Sequence, residues 1–439
     1  MADNEFEENT WDLIDCYFSN KGHQLVKHQL ESFNDFILRK LDQIIDGFNS
    51  IEVQHQYVPE LGKFKYVMTV DVVDPVLNKP IIYEKDGSTK TMTPNDARQR
   101  NFTYSSNLTV NVNITAKTLG EDGEYAVDTK ELKNVLLGKI PIMVKSNYCI
   151  LSNKYALANG HECKYDYGGY FIINGNEKVI ISQDRISENK TYVFVNNKIS
   201  TYSHIAEIRS VQENKLGVPK ITTLKLSAKA NQFGRYIRVN IHHIKNDIPV
   251  FILFKALGLN NDKEILQYIA HDLDDPLNLA IANELVGSIE EANNIQCPKD
   301  ALEYLSRYLN ITGYPKEVLN NKVQRINIVR SVLCTEFLPH VGMTFPKKAL
   351  YLGYMVNKLI KCFLEIKEFD DRDSYINKKV DTPGVLMANL FRQYYGKVVK
   401  DMKNMIQKEI NVGGWKATNK FSNVVNKVNI YKIIKSTII

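Results

Sequence analysis

The spacing of hydrophobic residues divides the chain into helical and β-rich regions. Between residues 10 and 48, apolar residues recur every three or four positions, as in Leu30, Phe33 and Ile37, which predicts amphipathic helices. Apolar and polar residues alternate instead from 51 to 85 and along most of 102–245, which predicts strands. Helical spacing returns between 248 and 367 and again between 383 and 410. Residues 86–100 contain DGS and TPND and are predicted to form turns and a loop.

This order of elements predicts an α+β fold. Helices come first, then two β-rich stretches, then helices, whereas a parallel α/β fold would alternate strand and helix. A chain of 439 residues corresponds to two or three domains of ordinary size. Because the sequence contains no Gly/Ser linker, we expect short connecting segments between the domains. Such connections also allow one domain to be inserted in another.

Composition narrows the class of protein only slightly. The chain is 44% hydrophobic and 24% charged, which is the balance of a soluble globular protein, and its net charge of +6 permits polyanion binding without requiring it. The six cysteines form no CxxC pair, which favours reduced thiols. The acidic start MADNEFEENTWD does not resemble a signal peptide, and no apolar run approaches the ~20 residues of a membrane span. We therefore expect an intracellular protein without a membrane partner.

The sequence contains none of the common catalytic motifs. P-loop, GxGxxG, HExxH, GxSxG and CxxC patterns are all missing. The run Asp370-Asp371-Arg372-Asp373 is either a Mg²⁺ site or a salt-bridged junction, and the arginine inside it favours the junction. His161 and Cys163 have no second ligand pair nearby, and His242 and His243 are predicted to face opposite sides of a strand. We therefore predict no catalytic residue and no metal site.

Two segments combine rigidity with positive charge. In YGGYFIINGNEKVIISQ the dipeptide Asn174-Gly175 predicts a tight turn that pairs GYFII with KVIIS and holds Lys178 and Gln183 in place. The second segment runs from Lys378-Lys379 into a lysine-rich C-terminal region with few acidic residues. These lysines form either a solvated helix face and tail or a surface that contacts nucleic-acid phosphates.

Several stretches together resemble a known family. They match, in order, the N-terminal part of the second-largest, β-type subunit of multisubunit DNA-directed RNA polymerase, in a form like that of eukaryotes and large DNA viruses. The matching stretches are SFNDFILRKLDQII, ARQRNFTYSSNLTVNV, GKIPIMVKSNYCIL, GGYFIINGNEKVIISQ, IPVFILFKALG, FLPHVG, KALYLGYMVNKLI and DDRDSYINKKVDTPGVLMANLFR. The resemblance implies a discontinuous protrusion domain, 1–190 and 367–439, with an α+β lobe domain, 191–366, inserted in it.

The resemblance also implies a role in DNA-templated transcription. The chain would form one wall of the DNA cleft and contact the RNA–DNA hybrid. Lys178 and Gln183 match family positions near the hybrid and the nascent RNA, and Asn377, Lys378 and Lys379 match a basic motif that faces nucleic acid. For Gln183 the alternative is an ordinary polar residue at a strand end.

Family members are much longer and continue into the fork and catalytic-core regions, which this chain does not contain. We therefore expect a part of a nucleotidyltransferase complex that is not catalytic alone and binds no cofactor, with Mg²⁺ held elsewhere in the assembly. The implied partners are the largest subunit, the remaining C-terminal part of the second-largest subunit, the DNA template, and transcription factors at the lobe and protrusion. The alternatives are a free-standing interaction protein that binds polymerase or its factors, and a non-functional truncation. The chain would be a split-gene product, an exon before an insertion, or a truncation, located in the nucleus if cellular and in the host cytoplasm, viral factory or virion if viral.

Overall fold

A computed structural model describes residues 10–17, 24–58, 63–120, 122–152, 162–163, 166–196, 200–212, 217–272, 274–310 and 322–411. The chain forms two compact units. The first unit combines residues Met1–Asp184 with Val380–Ile439, and the second is the intervening segment Arg185–Lys379. The sequence predicted these boundaries after residues 190 and 366, and the identification of the units as protrusion and lobe stays a prediction. Among the described residues, no helix is long and apolar enough to cross a membrane.

The first unit contains helices from both ends of the chain and a set of antiparallel strands. Its helices are α1 (10–17), α2 (Lys27–Asp35), α3 (Leu41–Phe48), α4 (Pro94–Gln99) and α12 (Pro383–Asn411), and a π-helical turn, Phe36–Lys40, joins α2 to α3. Its strands are β1 (Ile51–Val58), β2 (Lys63–Leu77), β3 (Ile81–Tyr83), β4 (Thr89–Thr91), β5 (Ser105–Leu119), β6 (Tyr125–Pro141), β7 (Phe171–Ile173) and β8 (Asn176–Lys178).

The main sheet of the first unit has the order β1-β2-β5-β6, with every neighbouring pair antiparallel. Buried residues alternate with partly exposed ones along β5, as expected for a sheet with one face on a core. Helices α3 and α12 contact β2 and β1 respectively, and α12 also packs against α2. Phe36 on the π-helical turn meets Phe391 on α12 with ring centroids 6.4 Å apart, so the two chain ends share one apolar core.

The second unit places an antiparallel sheet beside a group of helices. Its strands are β10 (Thr191–Val195), β11 (Tyr202–Ser210), β12 (Lys220–Ser227), β13 (Ile237–Asn240) and β14 (Ile248–Pro249), paired in chain order. Its helices are α5 (Val250–Ala256), α6 (Asp262–Ala270), α7 (Pro276–Glu284), α8 (Val286–Glu291), α9 (Pro298–Arg307), α10 (Lys322–Thr335) and α11 (Phe345–Phe363).

Helix α11 is central to the core of the second unit. Ala349, Leu352, Met355, Val356 and Leu359 recur along it at helical spacing and have no exposed surface. They belong to one apolar cluster that also includes the inward residues of β11 and β12 and most of α5. The helical spacing in the sequence therefore predicted this element correctly.

The chain passes between the units in two short strands. Strand β9 (Gln183–Ile186) leads from the first unit into the second, and β15 (Lys378–Asp381) leads back. The two strands pair with each other in a two-stranded sheet.

The α+β fold class is confirmed.

Two local predictions were wrong. Residues 86–100 are not all loop, because Thr93 and Asp96 form a capping box that starts α4: Thr93 Oγ1 accepts from the Asp96 amide and the Asp96 carboxylate accepts from the Thr93 amide. His242 and His243 do not alternate along a strand, because β13 ends at Asn240 and the pair lies in a turn.

Candidate nucleic-acid interface

The Asn-Gly hairpin has the geometry that its sequence predicted at the turn. Asn174 and Gly175 have φ angles of 49° and 80°, so both lie in the left-handed region that a two-residue type I′ turn requires. Because the turn has only two residues, Ile173 pairs with Asn176 and Phe171 with Lys178. The predicted pairing of GYFII with KVIIS is therefore wrong beyond Lys178, and the partners of Phe171–Ile173 are Asn176–Lys178.

The hairpin is fixed to the segment that follows α4. The amide of Gly175 donates to the Phe102 carbonyl at 3.0 Å, and the Tyr104 amide donates to the Ile172 carbonyl at 2.9 Å. The Asn174 amide donates to Thr103 Oγ1 at 3.2 Å. A Cβ built on Gly175 would lie 2.5 Å from Asn101 Oδ1, so the turn lies directly on this segment. These backbone contacts hold β8, and with it Lys178, in one position.

Arg98 on α4 ties the outer strand of the hairpin to the same support. Its guanidinium lies 2.7 Å from a Glu177 carboxylate oxygen and 2.9 Å from Glu162, and it donates to the Tyr170 hydroxyl at 2.6 Å. Burial alone would lower the pKa of Arg98, but the hydrogen bonds to Glu162 and Glu177 outweigh it and raise the pKa, so the guanidinium stays charged. Sequence reasoning assigned Arg98 no role, because its partners are far away in the chain.

Lys178 is one of the residues that line an apolar groove in the first unit. Lys178 is exposed at the end of β8, and Gln183 is exposed at the start of β9. Between them, Val179 and Ile181 expose 60% and 79% of their surface. The groove has a volume of about 290 Å³ and is lined by Phe36, Ile140, Pro141, Phe171, Ile173, Lys178, Val179, Ile180, Met387, Leu390, Phe391 and Tyr394.

The other three predicted site residues lie in the second unit and differ in accessibility. Lys379 is exposed on β15 and Lys378 is half-buried. Asn377 is 7% exposed, and both ends of its amide are engaged: Nδ2 donates to the Asp371 carbonyl at 2.6 Å, and Oδ1 accepts from Lys190 Nζ at 2.6 Å. Its backbone carbonyl accepts from the Ser187 amide at 2.8 Å. Asn377 therefore anchors the segment before the lysine pair.

The acidic run before this segment forms the salt-bridged junction. Asp370 Oδ2 accepts from Lys358 Nζ at 2.6 Å and from the Val193 amide at 2.9 Å. The Arg372 guanidinium stacks over Phe194, 3.9 Å from the ring centroid. With Asp370 engaged by Lys358 and a guanidinium inside the run, these donors do not fit Mg²⁺, which needs a set of free oxygen ligands.

Helix α12 shows how the basic C-terminal region begins. Phe391, Tyr395, Val398, Met402 and Ile406 are buried on one side. Four lysines are exposed on the other side, at positions Lys397, Lys400, Lys403 and Lys408. This amphipathic arrangement is that of a solvated helix face. The remaining lysines of the predicted basic region, Lys416, Lys420, Lys427, Lys432 and Lys435, lie outside the described residues.

Comparison with known proteins supplies the family. A family model described as "RNA polymerase beta subunit" matches residues 24–438. The chain is 37% identical over 420 residues to DNA-directed RNA polymerase II subunit 2 of Arabidopsis thaliana, an alignment that covers 93% of this chain and 34% of the relative. It is 37% identical over 414 residues to the RPB2 subunit of Encephalitozoon cuniculi, with the same two coverages.

An archaeal relative is covered more fully. The chain is 32% identical over 405 residues to DNA-directed RNA polymerase subunit Rpo2N of Methanocaldococcus jannaschii, covering 91% of this chain and 74% of the relative. It spans about a third of the length of the polymerase II relatives. The chain belongs to the RNA polymerase beta subunit family and corresponds to the N-terminal part of the second-largest subunit.

Proposed function

We propose that this chain acts within a DNA-directed RNA polymerase, where it forms one wall of the DNA cleft and contacts the RNA–DNA hybrid. The observation that carries the proposal is the rigid presentation of Lys178 by the Asn-Gly hairpin, in a chain whose relatives are named as polymerase subunits. The chain contributes positioning to the reaction, and bond formation takes place on other polypeptides of the assembly.

The hairpin suits a phosphate contact because its backbone is held in one position. Strand β8 is fixed through backbone hydrogen bonds and through Arg98, so little backbone freedom is lost when Lys178 binds. A lysine ammonium acts as a point charge that displaces the counterions of a phosphate. Gln183, exposed at the start of β9, offers both a hydrogen-bond donor and an acceptor to a sugar or phosphate.

In the second unit, Lys378 and Lys379 supply the corresponding charge. Asn377 holds the segment before them in place, because its side-chain amide binds Lys190 and the Asp371 carbonyl. We assign Asn377 this supporting role and not a direct contact with nucleic acid. Contacts from lysines to phosphates carry no sequence information, so they would fix the path of the hybrid without selecting a sequence. We place the catalytic Mg²⁺ elsewhere in the assembly, and the pairing of Asp370 with Lys358 agrees with this placement.

The test is the salt dependence of binding. We expect Lys178→Ala and Lys379→Ala, each in the assembled polymerase, to weaken binding to an RNA–DNA scaffold. Each variant should also reduce the slope of log Kobs against log[salt] by about 0.7–0.9, the value of one lost phosphate contact. Lys133→Ala in the first unit and Lys263→Ala in the second are matched controls, because both lysines are exposed and neither belongs to the two segments.

An unchanged slope in both variants would contradict the assignment of these lysines. A second experiment addresses the partners that we propose. The chain should co-purify with a largest subunit and with a polypeptide carrying the remaining C-terminal part of the second-largest subunit. Co-purification with transcription factors alone would instead support the free-standing interaction protein.

A further inference from the structure

Two adjacent histidines and a glutamate converge in the second unit. One ligand atom from each of His242, His243 and Glu336 lies within 4.8 Å of the other two. The imidazole centroids are 4.1 Å apart. His242 is exposed, and the other two side chains are partly exposed, so the cluster is open to solvent on one side.

The backbone explains why neighbouring histidines face the same way. His243 has a φ of 67°, in the left-handed region, which reverses the chain within one residue. The turn is fixed on both sides: the His243 carbonyl accepts from the Asn310 amide at 2.8 Å, and the Lys245 amide donates to the Tyr308 carbonyl at 3.0 Å. A non-glycine residue in this conformation costs about 1–2 kcal/mol. The surrounding contacts hold the two imidazoles together against that cost.

Glu336 reaches the cluster from the end of α10. Its amide donates to the Val332 carbonyl at 2.8 Å, which continues the helical hydrogen bonding one residue past Thr335, the last residue of α10. Its carboxylate forms an ion pair with Lys220 on β12. The helix end and the ion pair with Lys220 of β12 together hold Glu336 beside the histidines. The Lys220 ammonium is therefore the present partner of the Glu336 carboxylate.

We propose that His242, His243 and Glu336 form a binding site for a transition-metal dication of the zinc class. Two imidazole nitrogens and one carboxylate oxygen are a ligand set that binds Zn²⁺ and leaves a fourth position for water. Ligand atoms around a tetrahedral Zn²⁺ lie roughly 3.4 Å apart. Side-chain rotations that move the ligand atoms by about an ångström would bring the present separations, all within 4.8 Å, to that distance. The bound ion connects the turn after β13 to the end of α10 and replaces Lys220 as the partner of Glu336.

The test uses the full chain and the metals themselves. Titration with Zn²⁺ should show one site per chain, and Co²⁺ should give the visible absorption of a four-coordinate complex. A hundredfold excess of Zn²⁺ over Kd should raise the melting temperature of the second unit by about 5–10 °C. His242→Ala and Glu336→Gln should each weaken binding at least tenfold and remove the thermal shift.

Two further variants separate this site from non-specific binding. His28→Ala removes an exposed histidine of the first unit and should leave Kd unchanged. Lys220→Met removes the cation that competes for Glu336 and should tighten binding. The proposal is overturned if His242→Ala and Glu336→Gln bind Zn²⁺ as tightly as the unsubstituted chain, or if Lys220→Met binds it more weakly while its melting temperature without metal is unchanged.

Discussion

The lysine-bearing segments of the two units are held in place by different contacts. In the first unit, the hairpin of Lys178 and the start of α12 rest on close backbone approach at Gly175 and Gly384. In the second unit, the buried side chains include three lysines, Lys255, Lys348 and Lys358. Among the described residues of the first unit, no lysine is buried. The hairpin of Lys178 therefore depends on a glycine at its turn as well as on the Arg98 ion pairs, whereas the segment that leads to Lys379 depends on the buried ammonium of Lys358 and its partner Asp370.

The difference matters because the two devices fail differently. Replacing a closely packed glycine with alanine destabilises the protein by steric overlap, and this loss depends little on pH or salt. Replacing a buried lysine with an apolar residue leaves its carboxylate or carbonyl partner unpaired inside the protein, which costs free energy of folding. Substitutions in the two units therefore separate steric from electrostatic support for the same kind of surface.

The largest effect is expected at Lys358, whose side chain is 6% exposed and whose ammonium binds Asp370 and the Thr191 carbonyl, each at 2.6 Å. Lys358→Met leaves the Asp370 carboxylate without a cation, so the second unit should lose about 3–5 kcal/mol in the free energy of unfolding, measured by urea denaturation. Adding Asp370→Asn should restore part of the loss, because the uncompensated charge is removed.

The control for Lys358 is Lys347→Met, the same change at an exposed position of the same helix, α11. It should alter stability by less than about 0.5 kcal/mol. Equal losses in the two variants would show that the Lys358–Asp370 pair does not support the segment leading to Lys379.

The next effect is expected at Gly384, near the start of α12. A Cβ built there would overlap the carbonyl oxygen of Ser32 on α2, and the Gly384 amide already donates to Ser32 Oγ at 2.9 Å. Gly384→Ala must push the two helices apart and should destabilise the first unit by about 3 kcal/mol in urea denaturation. The matched control is Gly47→Ala in α3, which has no atom within 4 Å of the added carbon and should be neutral or stabilising.

A smaller effect is expected at Gly175. Gly175→Ala places a side chain at φ 80° and against Asn101, at a cost of about 1–2 kcal/mol for the backbone conformation and more for the contact. Gly123→Ala carries a similar backbone cost at φ 75° but meets no atom within 4 Å. Gly175→Ala should destabilise the first unit more than Gly123→Ala and should reduce the salt slope of scaffold binding in the assembled polymerase, because the position of Lys178 depends on the turn. Equal stability losses and equal salt slopes in the two variants would contradict that dependence.

The last effect is a dependence of stability on pH, at Lys348. Burial lowers the pKa of Lys348 to about 8, although three carbonyls, those of Leu333, Cys334 and Phe337, accept from its ammonium at 2.5–2.8 Å. Between pH 8 and the ordinary value near 10.5, the unfolded chain binds a proton that the folded chain has released. Stability should therefore rise with pH across this window relative to Lys348→Met. Parallel pH profiles from urea denaturation of the two proteins would contradict the shift.

Local sequence determined those features whose physical cause is local. Asn174-Gly175 predicted the turn because few residues other than Asn and Gly adopt positive φ readily. The spacing of Leu352, Val356 and Leu359 predicted α11 because a buried helix face repeats with the helical period. The same reasoning failed for α4, where Thr93 and Asp96 were interpreted as turn residues although they form a capping box.

Only the tertiary structure decided which side chains meet. Arg98 and Glu177, Lys358 and Asp370, and His242 and Glu336 are each brought together by folding, and no periodicity relates one partner to the other. Hydrophobic spacing depends on a residue's own helix or strand, so it can be read along the chain. A charge or ligand pair depends on how separate elements pack, and that is set by the sum of many contacts rather than by the two residues themselves.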